Sequence, residues 1–436
     1  MKVAVIGAGI AGLGCAHALT RDLGAACRVT LFEAAQRLGG HANTVDVELD
    51  GIRHPVDTGF LVFNERTYPN LLALFDELRV PVAASDMSFS VSVARPAREH
   101  RLEWAGTDLS TVFAQRRNLA SPRFLGMLAD LLRFNRHATR IAEGQETTDA
   151  ELSLGEFLDR HRYGQPFRHW YLLPMAAAIW SCPTDTMLAY PVGTFVRFCH
   201  NHGLLQIDDR PRWYTVRGGA RQYVGRIAAR LADLRVGEPV QQVARHPAGG
   251  VTVASRHGRE SFDHVVLACH SDQALHLLAD ADREQRELLA AVRYQPNRAV
   301  LHTDARLMPR SRKVWASWNY LSEQGRQGDG QPGVSVTYHL NRLQPLPFRR
   351  PVFVSLNPLC EPLAESIIAE FDYAHPVFDE RAIAAQRRLA ALQGRRGVWF
   401  AGAWTGYGFH EDGLRSGLAV AAALRARVPV ALPLAA

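Results

Sequence analysis

Near the C-terminus three ionisable side chains stand in a row, His410, Glu411 and Asp412, ahead of Gly413 and a small-residue helical run, LRSGLAVAAALRA (414–426). A histidine beside a glutamate is an acid/base couple wherever a proton must move, and an aspartate just ahead of a helix suits its N-cap. Two further pairs carry proton chemistry. His302 and Asp304 share one face at the end of a strand pattern, and Tyr338 and His339 lie on another strand beside Asn341. Either pair could line a pocket, or each histidine could be a hydrogen-bonded core residue. The only lysines are Lys2, which opens the first strand, and Lys313, in the basic loop MPRSRKVW. The cysteines at 15, 27, 182, 199, 269 and 360 form no CxxC pair and read as reduced core thiols. Cys182, in AIWSCP (178–183), has no neighbouring histidine and reads as a packing residue. Trp315, Trp318 and Tyr320 read as pocket wall or core. No spacing calls for a metal.

The element that must position such chemistry is legible at the N-terminus. KVAVI (2–6) is a buried-strand run, followed by Gly7-x-Gly9-x-x-Gly12 and a helix with Ala16 and Ala18 on its tight side. A second strand, RVTLFE, ends at Glu33, 21 residues beyond Gly12. Gly7 makes the turn, Gly9 admits a pyrophosphate, Gly12 lets helix and strand approach, and Glu33 accepts from a ribose. The helix start then faces the phosphate charge. These residues suit NAD or the adenosine half of FAD equally. No second fingerprint exists to seat a nicotinamide partner, so electrons would come from the substrate.

Arg37-x-Gly39-Gly40 follows Glu33 directly, and TVDVELDGIRHPVDTG then reads as a hairpin turning at Asp50-Gly51. With RGGARQYV (217–224), VGEPVQQVARHPAGGVTV (236–253), FDHVVLAC (262–269) and VWFAGAW…DGLRSG (398–417), the chain resembles the flavin-containing amine oxidase superfamily. Within it, VDTGFLVFN (56–64), AIWSCP, VTYHLNRLQ (336–344) and GFHEDGL (408–414) resemble a bacterial group tied to cyclopropane- and furan-type fatty-acid modification. The resemblance implies FAD, held by Gly7, Gly9, Gly12, Glu33, Arg37, Gly39, Gly40, Gly59, Gly218, Val240, Gly402, Asp412, Gly413 and Leu414. It also implies that the C-terminal helix aims its N-terminus at the flavin, where amides and dipole would stabilise the reduced form. Two departures count against ordinary amine oxidation. The lysine context is missing, and the family's acidic "GE" is replaced by Gly402, Ala403 and Trp404.

The expected fold is α/β: a discontinuous Rossmann-like FAD-binding domain (1–65, 212–292 and 395–436) with an α+β substrate domain (66–211 and 293–394). The expected activity is FAD-dependent dehydrogenation of a hydrophobic substrate, by resemblance a membrane-lipid acyl chain, with electrons passed to O2 or another external acceptor. His410, Glu411, His339 and Tyr338 are the candidate catalytic residues. The alternatives are an amine or amino-acid oxidase, and a non-catalytic flavin-binding scaffold of a lipid-modifying complex.

The 436 residues carry a net charge of +7, which favours anionic partners. The basic residues are spread along the chain without a recognised module, so nucleic acid is not expected. The apolar N-terminus mimics an export signal, but its glycines fall at nucleotide-fold spacing. A cytoplasmic protein, either soluble or peripheral on the inner face of the membrane, is the expectation. Along 123–141, Leu128, Leu131, Leu132 and Ile141 share one side, and Arg133, Arg136 and Arg140 another. That pattern suits a helix resting on anionic lipid, or more simply a domain helix with a solvated basic face.

Overall fold

The computed structural model describes residues 1–95, 98–180, 184–206, 210–323 and 333–428. Its first layer is a five-stranded parallel sheet in the order Asp233–Val236, Arg28–Glu33, Lys2–Ile6, His264–Leu267 and Val398–Phe400. Val3 to Ile6 and Val265 to Leu267 are buried, as expected for parallel strands covered on both faces. Three distant parts of the chain supply these strands. The helix Ile10–Leu23 and the C-terminal helix His410–Arg425 pack together closely. A Cβ on Gly417 would stand 2.1 Å from the Ala11 carbonyl oxygen, so no side chain fits at that crossing.

The hairpin Thr44–Leu49 and Ile52–Asp57 turns at Asp50 (φ 55) and Gly51 (φ 73), the left-handed pair a tight two-residue turn requires. The meander Val240–Arg245, Val251–Ser255 and Gly258–Phe262 forms as the alternation predicts.

The second layer is a seven-stranded sheet, ordered Ile367–Val377, Arg293–His302, Phe353–Leu356, Gly333–His339, Trp318–Glu323, Phe89–Arg95 and Arg98–Ala105. Helices between residues 109 and 201 cover it, and one apolar cluster takes in both. The strand Trp318–Glu323 is preceded by a 3-10 turn, Arg312–Val314, that holds Lys313 exposed.

The expected boundary at residue 66 does not match the packing. Tyr68, Leu71, Leu74, Phe75, Leu78 and Val80 join the apolar core of the parallel sheet. Val82–Ser85 pairs with Trp213–Val216, which also pairs with Phe63–Asn64. Residues 68–85 therefore belong physically with the nucleotide-type fold. Among the described cysteines, Cys15, Cys27 and Cys199 are buried, whereas Cys360 is exposed rather than in the core; Cys182 lies outside the described residues.

On Pro122–Ala142 the buried face is Phe124, Met127, Phe134, Ala138 and Ile141. Leu132 stands exposed with Arg133, Arg136 and Arg140, which corrects the expected apolar side.

Candidate active site

A cavity of about 760 Å³ runs from the C-terminal ends of the parallel strands into the space under the seven-stranded sheet. Its nucleotide-type end is built by the first turn. Gly7 has φ 103, and a Cβ on Gly12 would lie 1.9 Å from the Gly7 carbonyl oxygen, so only glycine closes the turn against the helix. A Cβ on Gly9 would meet nothing within 4 Å. Gly9 thus leaves space on the cavity side, and no side chain caps the helix start it begins. Unpaired amides beside open space make an anion cradle. Glu33 is fixed on the wall because its carboxylate accepts from the amides of Ala8 and Ala35, both at 2.8 Å.

Gly39, Gly40, Gly59, Val240 and Gly402 also line the cavity. Arg37 does not. Exposed outside it, its guanidinium donates to the Gly40 carbonyl at 2.8 Å and steadies the glycine pair. Gly218 is likewise off the wall. Its neighbour Gly219 turns the chain so that the Ala220 amide donates to buried Asp57 at 2.9 Å. Burial pushes the Asp57 carboxyl up to about 7, against the lowering effect of the Thr44 and Ala220 hydrogen bonds.

The motif at 410–414 is divided by the fold. The C-terminal helix begins at His410 with Phe409 as its N-cap, so Asp412 sits inside the first turn and not ahead of it. It still does a cap's work: its carboxylate accepts from the amides of Tyr407 (3.0 Å) and Phe409 (3.1 Å). Burial raises its pKa to about 6, opposed by Arg415. Gly413 faces Ile10, where a Cβ would lie 2.9 Å from the Ile10 side chain, and Leu414 packs over Gly14. Those two serve the helix crossing, off the cavity wall.

Glu411 is turned away from the cavity as well. Its carboxylate accepts from the Asn70 amide (3.0 Å), the Asn70 side chain (2.5 Å) and the Leu71 amide (3.0 Å), capping the helix Pro69–Glu77. The expected His-Glu couple is therefore not assembled. His410 does face the cavity. Its ring stacks on Phe60 at 3.8 Å between centroids, and Nε2 is 2.9 Å from the Tyr223 hydroxyl. Burial drops its pKa to about 3.

Tyr338 lines the cavity with Trp318, edge to face at 5.0 Å, whereas His339 lies off the wall between Trp315 and Phe353. His302 bonds Ser355 at 2.9 Å in the sheet interior, and Asp304 pairs with Arg306 at 2.6 Å. Neither reaches the cavity, so that pair is structural.

A group that the sequence reading overlooked stands midway along the cavity. His41, His270, His375, Tyr294 and Tyr373 surround one stretch of wall. His41 stacks on Tyr373 at 5.2 Å and lies 5.3 Å from His375, and His270 stacks on Tyr294 at 4.2 Å. Burial takes His375 down to about 4. Burial also lowers His270 and His41, with the other imidazoles pushing His41 further. Burial thus disfavours the charged form of all three imidazoles. Two signals were available: His41 directly follows the glycine pair, and His270 follows a parallel strand, at the end where ligands bind. Leu61, Val62, Ile179, Phe198 and Leu356 make a further part of the wall apolar.

Two observations fit FAD to this cradle: the open space beside Gly9, and His41 Nε2, which is buried with no hydrogen-bond partner. The arrangement defines a dinucleotide-binding fold joined to an aromatic chamber. Residues 10–336 match the flavin-containing amine oxidoreductase family, and the chain belongs to that family.

The protein is 30% identical over 280 residues to the "Putative flavin-containing monoamine oxidase AofH" of Mycobacterium tuberculosis strain CDC 1551 / Oshkosh, covering 62% of this chain and 56% of the relative. The strain H37Rv protein of the same name gives the same figures. The chain thus spans about half the length of the curated relatives it matches. In fold it is similar to putrescine oxidase bound to putrescine, with a TM-score of 0.69 and 17% identity, covering 98% of this chain and 100% of that one. It is also similar to the CLA-producing fatty acid isomerase of P. acnes, with a TM-score of 0.65 and 16% identity, covering 97% and 98%.

Proposed function

We propose that the protein dehydrogenates a hydrophobic substrate, a fatty acyl chain of a membrane lipid, and passes the electrons to O2 or another external acceptor. One observation carries the choice of substrate. The chamber beyond the histidine group is walled by Phe60, Leu61, Val62, Ile179, Phe198, Trp318, Tyr338 and Leu356, and among the described residues this part of the lining carries no carboxylate to hold a cationic amine. The acids on the wall, Glu33, Glu238 and Asp272, lie on elements at the nucleotide-type end. Apolar walls favour a chain of methylenes at about 0.8 kcal/mol per CH2 buried.

FAD bound in the cradle would supply the two-electron redox chemistry that side chains lack. The residues of the chain do the rest. The first turn, Glu33 and the Gly39-Gly40 pair hold the nucleotide. The aromatic wall excludes water and aligns the chain. Of the four residues expected to act in catalysis, His410 and Tyr338 line the cavity, which supports a role for these two in contact with substrate. Burial disfavours the charged form of His410, so its ring serves the wall as a neutral group, stacked on Phe60 and hydrogen-bonded to Tyr223.

A second reading, oxidation of an apolar amine, is favoured by the likeness to the mycobacterial protein and by an aromatic wall that would take an uncharged amine. Anaerobic mixing of the flavin-loaded protein with phospholipid extracts and with an amine panel separates the two. Bleaching of the flavin absorbance by lipid alone is expected. Bleaching by amines alone would replace the lipid reading, and bleaching by neither would leave a flavin-binding scaffold.

A further inference from the structure

We propose that His137, Glu146, Asp149 and His161 form a structural zinc site in the helical layer, outside the cofactor cavity. The residues come from three segments that the sequence keeps apart. His137 lies on Pro122–Ala142, Glu146 and Asp149 on the connection that follows, and His161 just beyond the helix Leu154–Arg160. Their spacing matches no metal motif, which is why none was expected.

The donors converge. His137 Nε2 stands 3.1 Å from Glu146 Oε1 and 3.5 Å from Asp149 Oδ2, and His161 Nε2 is 2.6 Å from the same Asp149 oxygen. The ligating atoms of His137, Asp149 and His161 all lie within 4.8 Å of one another. Zinc holds nitrogen and oxygen at about 2.0–2.2 Å, so the edges of its tetrahedron are about 3.3–3.6 Å. Two of the observed spacings already approach that length. The third opens by a swing of His161, whose side chain is 29% exposed.

Two imidazoles and two carboxylates select zinc over calcium or magnesium, which prefer all-oxygen shells. Four protein donors leave no open position, which marks a structural and not a catalytic site. None of the four lines the cavity. The outer oxygens are held by Arg160 on Asp149 (3.5 Å) and Arg140 on Glu146 (3.6 Å), as outer partners orient ligating carboxylates. Zinc would clip two helices together across the connection between them.

The test is a titration of the full-length, flavin-loaded protein with zinc chloride against a chromophoric chelator, after stripping with EDTA. Cys360→Ser is the working background, because Cys360 is the exposed thiol among the described residues and could hold stray zinc. One equivalent of zinc and a rise in thermal midpoint are expected. His161→Ala should weaken binding about 100-fold or more and abolish the thermal shift, with the flavin spectrum unchanged. Glu146→Gln, on a partly exposed connection, gives a second ligand deletion and should weaken binding about tenfold or more. No saturable binding by the parent protein, or undiminished binding by both variants, would overturn the site and leave a hydrogen-bonded ion-pair network.

Discussion

Replacing Glu411 separates two roles that a sequence reading would merge. Its carboxylate lies next to His410 in the chain, yet it binds the amides of Asn70 and Leu71 and the Asn70 side chain. Those amides are among the unpaired donors that open the helix Pro69–Glu77, whose own N-cap residue, Tyr68, provides no side-chain acceptor. Glu411→Ala removes a helix cap, worth about 0.5–2 kcal/mol. It also strands the buried Leu71 amide, at about 1–3 kcal/mol. A total of about 3 kcal/mol is expected, read as a fall of several degrees in the thermal release of flavin fluorescence. Glu411→Gln keeps one carbonyl acceptor and should recover about half the loss. Below the transition both variants should bind FAD and be reduced by substrate at the parent rate. A Glu411→Gln protein of parental stability whose flavin reduction is slowed about 100-fold would refute this account and restore Glu411 as a proton carrier.

His410→Ala removes the hydrogen bond to Tyr223 and the ring on the chamber wall. Lipid-driven flavin reduction should slow about tenfold or more, the worth of one well-placed hydrogen bond, with flavin content intact; an unchanged rate would take His410 off the list of groups touching substrate. Asp57 has its pKa raised by burial from 3.8 to about 7, so it binds its proton more tightly in the folded protein. Its stabilising contribution is complete below about pH 4 and is lost as the pH climbs to about 7. Asp57→Asn should flatten the decline of thermal midpoint across that window, and parallel profiles would show that Asp57 is not the titrating group. Leu109, Leu119, Leu125 and Leu132 are exposed by 77%, 56%, 44% and 47%, close in sequence to the basic face of Pro122–Ala142. Sedimentation with anionic vesicles should therefore fall several-fold in Leu125→Glu with Leu132→Glu, and equal sedimentation would count against peripheral attachment. No helix among the described residues is long and apolar enough to cross a membrane.

The nucleotide-type end was legible because its constraints are local. Gly7, Gly9, Gly12 and Glu33 act through one strand, one turn and one helix start, and turn geometry dictates residue type at fixed spacing. The hairpin at Asp50-Gly51 and the 240–262 meander were readable for the same reason.

Long-range packing decided the rest. Adjacent residues on a helix point about 100° apart, so His410 and Glu411 cannot be given one job from adjacency. The fold sends His410 to Phe60 and the cavity, and sends Glu411 to a helix start 340 residues earlier. His302 ends its strand with its ring covered inside the sheet, and Asp304 lies beyond the strand, capping the turn Ala305–Leu307. The gathering of His41, His270 and His375 joins positions far apart in the chain, and that of His137, Asp149 and His161 depends on how two successive helices fold against their connection. The sequence by itself determined the glycine turn between the first strand and helix, since backbone geometry dictates which residues can form it. Only the tertiary structure decided which ionisable side chains face the chamber, because that depends on which distant surface each one is packed against.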